Sequence, residues 1–299
     1  GNSSLTSIQL NRVTVEDCRG PGVIVRQGLV FNTPKLSGLF ISDCTIRRCN
    51  LAGMGNGSMG GGVVVYGTTD VQVSNSRFYD NIGPGLWIAD DSADFEIRGS
   101  LFYGNQGTVE EPWLGMGIQV SNANGLDNRN RAVIEENVFR SNSGFGLALC
   151  ETANVDVLNN LFIGGPVGVV FRNYFLFSSG TNSLNIPRDA TLRDITLSGN
   201  KFKNWTESAV TSWPRSLMQL SDLTGNRVAI EGNTYDPGVN QNLLVLHDDI
   251  VQAPSQLSPY YLDSLSKLQS EAGYEQEGSK DDITTPSNVD WNEDADRDG

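Results

Sequence analysis

The side chains that could carry out chemistry in this sequence are carboxylates, aromatic rings and arginines, whereas histidine occurs once, at His247. Hydrolysis of a glycosidic bond uses two carboxylates, about 5–5.5 Å apart for retention and about 6.5–9.5 Å apart for inversion. Aromatic rings can stack on sugar rings, and arginine can pair with a uronate. The candidate catalytic residues are Asp90, Glu151, Glu110, Glu111 and Arg172, and the candidate substrate-binding residues are Trp87, Tyr66, Trp113, Gln119 and Arg26.

Composition excludes several other kinds of site. The formal net charge of −14 comes without any basic block, so binding to nucleic acid or to an anionic membrane is not expected. No apolar run approaches the roughly 18 residues of a transmembrane helix. A single histidine excludes a His-rich zinc site, and the four cysteines form no Cys-x-x-Cys motif.

An internal repeat predicts the elements that must position these residues. A six-residue motif recurs eight times, with apolar residues at its first and last positions and a turn residue and a small polar residue between them. Its last positions are Val15, Ile46, Phe78, Phe102, Phe139, Phe162, Phe202 and Tyr235. After each of the first six copies an alternating apolar strand starts at a glycine, namely Gly22, Gly62, Gly85, Gly117, Gly146 and Gly168. Each unit therefore predicts three short strands and three turns.

A unit of about 23 residues cannot bury its own apolar face, but stacked units share a continuous core. The turn positions suit a left-handed backbone, which Gly, Asn and Asp adopt at low cost. They include Asp43, Asn75, Gly99, Asn159, Gly199 and Gly232. The next position is small and polar, and we expect it to hydrogen-bond from coil to coil. It is occupied by Ser76, Ser100, Asn137, Asn160, Asn200 and Asn233.

The segment 73–86 carries the pattern aliphatic-x-Asn-x-x-Phe-x-x-Asn followed by Gly-aliphatic, which resembles the coil consensus of the right-handed parallel β-helix superfamily, the pectate-lyase-like fold. The resemblance, of the bacterial secreted type, covers about residues 4–235. It implies an all-β, right-handed parallel β-helix of about eight coils with a short C-terminal helical cap. Fold alone does not define the substrate. The catalytic motifs of polygalacturonases, mannuronan epimerases and pectate lyases are absent from this sequence.

The resemblance also implies where a site would lie, on the outer face of the strand that follows the long turn. The register of the repeat predicts that Trp87 and Gln119 point outward on this face. Arg26 and Tyr66 each lie two residues after the outward position of their own strand. Insertions at 50–59 and 106–113 flank the coil that carries Trp87.

Two chemistries stay open at this site. Asp90 and Glu151 share a ladder position two coils apart, about 10 Å, near the upper limit for an inverting hydrolase. Alternatively, Arg26 or Arg172 could neutralise a uronate while a carboxylate-bound Ca²⁺ acidifies the sugar proton, as a lyase requires.

A second outward column follows the apolar anchors by one residue, with Glu16, Arg47, Tyr79, Tyr103, Arg140, Ile163 and Lys203. It could hold an anionic polysaccharide, or it could be a solvated face with pairing between coils. Cys18 and Cys49 each lie three residues after an anchor and should stack. They could form a disulfide in an oxidising compartment or stay as buried thiols.

The periodicity stops after Tyr235. We expect a parallel β-helix over 1–250, a capping segment over 251–275 with a helix from Ser258 to Gly273, and an acidic tail over 276–299. The sequence ends in an Asp-x-Asp-x-Asp-Gly motif, which is typical of the start of a calcium loop. Its predicted ligands are Asp294, Asp296 and Asp298.

We therefore expect an extracellular or cell-surface carbohydrate-active protein, a polysaccharide lyase or glycoside hydrolase whose substrate could be acidic. The alternative is a non-catalytic module for glycan binding or adhesion, part of a larger surface protein. Polysaccharide is the expected partner, Ca²⁺ the expected cofactor, and nucleic acid is not an expected partner.

Overall fold

The computed structural model describes residues 7–26, 37–52, 60–89, 92–109, 111–124, 130–172, 192–212, 228–238, 244–247, 259–262 and 278. Within these ranges the strands form three sheets, and the only helical element is a 3-10 turn at Pro112–Leu114. No helix in the same ranges is long and apolar enough to cross a membrane.

Each coil contributes one strand to each sheet. The first sheet contains β1 (Ile8–Asn11), β4 (Leu39–Ser42), β7 (Thr69–Ser74), β10 (Ala93–Arg98), β13 (Ala132–Glu135), β16 (Ala153–Leu158), β19 (Arg193–Ser198) and β22 (Val228–Glu231). The second contains β2 (Thr14–Glu16), β5 (Thr45–Arg47), β8 (Arg77–Tyr79), β11 (Leu101–Tyr103), β14 (Val138–Arg140), β17 (Leu161–Ile163), β20 (Lys201–Lys203) and β23 (Thr234–Asp236).

The third sheet contains β3 (Val23–Arg26), β6 (Val63–Tyr66), β9 (Leu86–Ala89), β12 (Ile118–Ser121), β15 (Phe145–Cys150), β18 (Val167–Arg172), β21 (Ser208–Ser212), β24 (Leu244–His247) and β25 (Pro259–Leu262). Neighbouring described strands pair in parallel, apart from β24 and β25, which are antiparallel. The chain is thus an all-β parallel solenoid, as the repeat predicts.

The apolar anchors of the repeat stack inside the solenoid. Each anchor from Val15 to Tyr235 is the Cα partner of the anchor in the next coil, so the predicted register is confirmed. The aromatic anchors are stacked, with centroid distances of 4.8 Å for Phe78–Phe102 and 4.6 Å for Phe139–Phe162. A continuous column of rings therefore fills one side of the core.

The small polar residues next to the anchors form a buried ladder. Asn160 donates its side-chain amide to Asn200 Oδ1 at 3.0 Å, and its own Oδ1 accepts from the backbone N–H of Asn137 at 3.0 Å. The six predicted turn residues have φ between 49° and 65°, which confirms the left-handed turns. A second ladder of the same kind joins Asn81, Asn105 and Asn142.

The glycines at or just before the start of the third-sheet strands β3, β6, β9, β12, β15 and β18 are required by close packing between coils. A Cβ at Gly146 would lie 2.7 Å from the Gly168 carbonyl oxygen and 2.7 Å from the Phe162 ring. Gly62, Gly85 and Gly117 have the same environment, each against the carbonyl of the next glycine. The backbones of successive coils thus approach each other too closely here for any side chain.

We expect Gly146→Ala to lower the free energy of unfolding by about 1–3 kcal/mol, because the stacked neighbours cannot move away from the added methyl group. Urea denaturation followed by circular dichroism measures the loss. Gly20→Ala is the matched control, since a Cβ at Gly20 has nothing within 4 Å. Equal denaturation midpoints for the two variants would contradict this account.

The C-terminal part differs from the predicted helix. Pro259–Leu262 form β25, which pairs antiparallel with β24, so the helix expected from Ser258 is wrong over these four residues. The remainder of that segment lies outside the described residues. Pairing with β24 overrides the local helical pattern, because it supplies backbone hydrogen bonds to an otherwise open sheet edge.

Candidate functional site

The outer face of the third sheet has the predicted register. Trp87 is the Cα partner of Val64 on one side and of Gln119 on the other. Two residues further along each strand, Arg26 pairs with Tyr66, and Ala89 pairs with Ser121. The structure therefore brings four predicted substrate-binding residues to one face. They are Arg26, Tyr66, Trp87 and Gln119.

Two aromatic rings lie in contact on this face, on the neighbouring strands β6 and β9. The ring centroids of Tyr66 and Trp87 are 5.7 Å apart, with an interplanar angle of 58°. The indole Nε1 of Trp87 donates a hydrogen bond to Ser121 Oγ at 2.7 Å. Because Tyr66 and Trp87 are only partly buried, each ring keeps accessible surface. We call Tyr66, Trp87, Gln119 and Ser121 the aromatic patch.

Ser121 is the member of the patch that the sequence did not mark as a candidate. Its register relative to Trp87 follows from the repeat, since it lies one coil further and two residues beyond Gln119. The spacing of the repeat therefore places Ser121 on this face, but a serine at the end of a strand is too common to indicate a site. Only the hydrogen bond to Trp87 gives it a role, which is to fix the orientation of the indole.

Towards the C-terminal coils the same face is covered. The outward positions Ala148, Cys150 and Val170 are 1–2% exposed. They belong to a second hydrophobic cluster, separate from the main core, against which Trp113 and Leu114 pack. This part of the face is therefore buried, and Trp113 and Leu114 contribute to its cover.

Hydrogen bonds to the next coil hold the insertion that carries Trp113 in place. Ser143 Oγ accepts from the Gly107 backbone N–H at 2.9 Å and donates to the Pro112 carbonyl at 2.8 Å. The Gly144 N–H donates to the Gly115 carbonyl at 2.8 Å. Part of the Trp113 ring is thus used for packing, and its contact with a sugar stays a prediction.

The predicted catalytic residues are placed unequally. Glu151 is only 7% exposed and lies in a left-handed turn directly after β15, with φ of 45°. Glu111 is half-buried and precedes the 3-10 turn, where its N–H donates to Thr108 Oγ1. Arg172 ends β18. Asp90 and Glu110 lie outside the described residues, so the catalytic pair stays a prediction.

The predicted calcium ligands Asp294, Asp296 and Asp298 also lie outside the described residues. Among the described residues, no group of three or more His, Cys, Asp or Glu side chains is placed to hold a metal ion.

The second outward column shows pairing between coils. Arg47 donates to Glu16 Oε2 and to Tyr79 Oη, both at 2.7 Å, and Tyr79 stacks on Tyr103 with centroids 4.6 Å apart. The hydrogen bond to Glu16 raises the pKa of Arg47, and burial raises the pKa of Tyr103. Further along, Lys203 lies 3.3 Å from Asp236. Of the two interpretations, this favours a face with pairing between coils.

Three sheets wound into one parallel solenoid define a parallel β-helix protein. The model of the right-handed β-helix region matches residues 1–186, and the chain belongs to this family. No curated protein matches the sequence. Among solved structures, an alginate lyase from Paenibacillus sp. str. FPU-7 is similar, with 16% identity and a TM-score of 0.40, over 77% of this chain and 78% of that chain. At this identity the likeness concerns the fold alone.

Proposed function

We propose that the protein binds a polysaccharide across the outer face of the third sheet, at the aromatic patch. The observation that carries the proposal is the contact between Tyr66 and Trp87, two partly exposed rings on neighbouring coils, one of them fixed by Ser121. Rigid aromatic surface next to a few polar groups is the usual composition of a small-molecule or glycan site.

The neighbours of the rings supply the polar contacts that a sugar needs. Gln119 is the strand partner of Trp87, and its side-chain amide both donates and accepts hydrogen bonds. Arg26 is exposed and is the strand partner of Tyr66, so a chain crossing the sheet meets a cation one coil beyond that ring. A guanidinium pairs bidentately with a carboxylate, which favours a uronate-containing polysaccharide.

Cleavage of the bound chain, by a lyase or a glycoside hydrolase, is the finer form of the proposal. Asp90 directly follows β9, which carries Trp87, and is the carboxylate next in sequence to the patch. A reducing-sugar assay and the absorbance of unsaturated uronates, measured over a polysaccharide panel, separate hydrolase from lyase. Binding without either product would identify the non-catalytic module. Loss of activity in Asp90→Asn and Glu151→Gln would support the predicted pair.

An extracellular or cell-surface location belongs to the same proposal, because that is where polysaccharides of this kind occur. Calcium binding at Asp294, Asp296 and Asp298 is proposed separately and is tested by calcium titration of the whole chain, with Asp296→Asn as the comparison.

We expect Trp87→Ala to weaken polysaccharide binding about fivefold, since it removes the larger ring of the patch, and an aromatic contact of this kind contributes about 1 kcal/mol. A glycan array identifies the ligand, and isothermal titration calorimetry gives the dissociation constant. Ser121→Ala removes the indole hydrogen bond but keeps both rings, so a smaller loss is expected.

Tyr103→Ala is the control on another face, because Tyr103 lies in the second sheet. Unchanged binding in Trp87→Ala, or an equal loss in Tyr103→Ala, would contradict a site at the aromatic patch.

A further inference from the structure

Cys18 and Cys49 occupy equivalent positions in the first two coils. Each lies three residues after an anchor, and the two anchors, Val15 and Ile46, are Cα partners. In the next coil the same position is Asn81, whose Oδ1 accepts from the Cys49 backbone N–H at 3.0 Å. The cysteines are therefore the first two members of a column that continues as an asparagine ladder.

The two sulfur atoms lie beside the same stretch of backbone. Cys18 Sγ is 3.5 Å from the Glu16 carbonyl oxygen. Cys49 Sγ is 3.3 Å from the Arg47 carbonyl in its own coil and 3.8 Å from the Val15 carbonyl in the first coil. The strands that lead into the two cysteines, β2 and β5, are paired neighbours about 4.7–4.9 Å apart, and the Cys18 and Cys49 side chains are hydrogen-bond neighbours. Disulfides join Cα atoms about 4.4–6.8 Å apart, so the two cysteines lie within reach of such a bond.

The two thiols differ in access. Cys49 is fully buried, whereas Cys18 is partly exposed. Burial, with Cys18 as neighbour, raises the pKa of Cys49 to about 12. An external reagent therefore reacts with Cys18 first. Cys18 is the accessible thiol, and the buried Cys49 is rarely present as the thiolate, which is the reactive form.

We propose that Cys18 and Cys49 are an oxidation-sensitive dithiol, which closes to a disulfide by exchange with a low-molecular-weight disulfide. The Cys18 thiolate attacks one sulfur of the external disulfide, forms a mixed disulfide and releases one thiol. Cys49 then loses its proton to solvent and attacks the Cys18 sulfur, releasing the second thiol. Two cysteine thiols are oxidised and one external disulfide is reduced to two thiols.

The bond would fasten the first coil to the second. In the described part of the chain β1, β2 and β3 are each the terminal strand of a sheet, with a strand partner on one side only. A crosslink from this coil to the next opposes its local opening, because the two backbones can no longer separate at the cysteines. The disulfide would therefore act on local opening of the coil that carries Cys18.

The test uses the full chain, reduced and then incubated with oxidised glutathione, quenched with acid, alkylated after unfolding and mapped by peptide mass spectrometry. We expect the mass to fall by two hydrogen atoms, with Cys18 crosslinked to Cys49 and with Cys44 and Cys150 alkylated. Cys18→Ser should abolish the crosslink.

Cys44→Ser is the matched control and should form the same crosslink as the unsubstituted protein. Cys44 lies in the other buried ladder, where Ser76 and Ser100 occupy the equivalent position in the following two coils. In the first coil this position is Val13. Serine therefore suits this position without removing either proposed partner.

Hydrogen exchange gives the second readout. Oxidation should slow amide exchange in β1, β2 and β3 of the unsubstituted protein and leave it unchanged in Cys18→Ser. Four free thiols after oxidation, glutathione that stays attached to Cys18, a crosslink between other cysteines, or exchange rates insensitive to the crosslink would each overturn the proposal.

Discussion

Replacing Phe139 with alanine should lower the free energy of unfolding by about 3–5 kcal/mol. Phe139 is 1% exposed and lies near the middle of the ring column, stacked on Phe102 at 5.3 Å and on Phe162 at 4.6 Å. The truncation leaves a cavity bounded by two rings that are themselves stacked on further rings, so the site collapses poorly. It also removes two aromatic contacts of about 0.5–1.5 kcal/mol each.

Urea denaturation measured by circular dichroism and by tryptophan fluorescence gives the size of this effect. Phe139→Leu is the control, because it keeps much of the volume but not the stacking, and it should lose less than half as much stability. A Phe139→Ala protein no less stable than Phe139→Leu would show that the rings are not tightly packed.

Asn160→Ala should lower the free energy of unfolding by about 3 kcal/mol. The Oδ1 atom of Asn160 accepts from both the backbone N–H and the side-chain amide of Asn137, each at 3.0 Å. Both donors are buried, and a buried donor without an acceptor costs about 1–3 kcal/mol. The substitution also removes the donors that serve Asn200 Oδ1 and the Ile134 carbonyl.

The ladder itself supplies the control for this prediction. Ser100 occupies the equivalent position two coils earlier, and its Oγ accepts from the Ser76 N–H at 3.1 Å. Asn160→Ser therefore keeps an acceptor for the Asn137 N–H and should lose clearly less stability than Asn160→Ala. Equal losses, measured by urea denaturation, would mean that the ladder hydrogen bonds contribute little.

Much of the fold could be predicted from the sequence, because the repeat is set by local requirements. Large apolar residues such as Phe78 recur where the core needs them, and left-handed turns need residues such as Asn75. Each coil repeats the same solution, so eight weak signals in register make one strong signal. The glycine at the start of six of the third-sheet strands could be predicted too, whereas its reason, the close carbonyl of the next coil, became clear only from the structure.

The candidate site was predicted only in part. The repeat correctly placed Tyr66 and Trp87 on one face, since their register follows from the anchors. It could not predict that Ala148 and Val170 are buried on that face, because their cover depends on how an irregular insertion folds. Burial of Glu151 was not predicted either, because an acid beside a turn usually remains in water.

The strand at Pro259–Leu262 shows the limit of local patterns. Four residues are too few to distinguish a helix start from a strand by periodicity. The segment forms a strand because it pairs antiparallel with the edge of β24. Such a choice depends on tertiary structure and is not written in the segment itself.

The parallel register of the three sheets also determines how the molecule would respond to force. Hydrogen bonds between strands run across the strands, and here every coil is joined to the next in this way, so the bonds lie along the long axis of the solenoid. Tension applied between the two ends pulls along these bonds and loads one coil junction at a time, as in unzipping. Under load the solenoid would lengthen in steps, each step releasing the chain of one coil while the coils behind it remain wound.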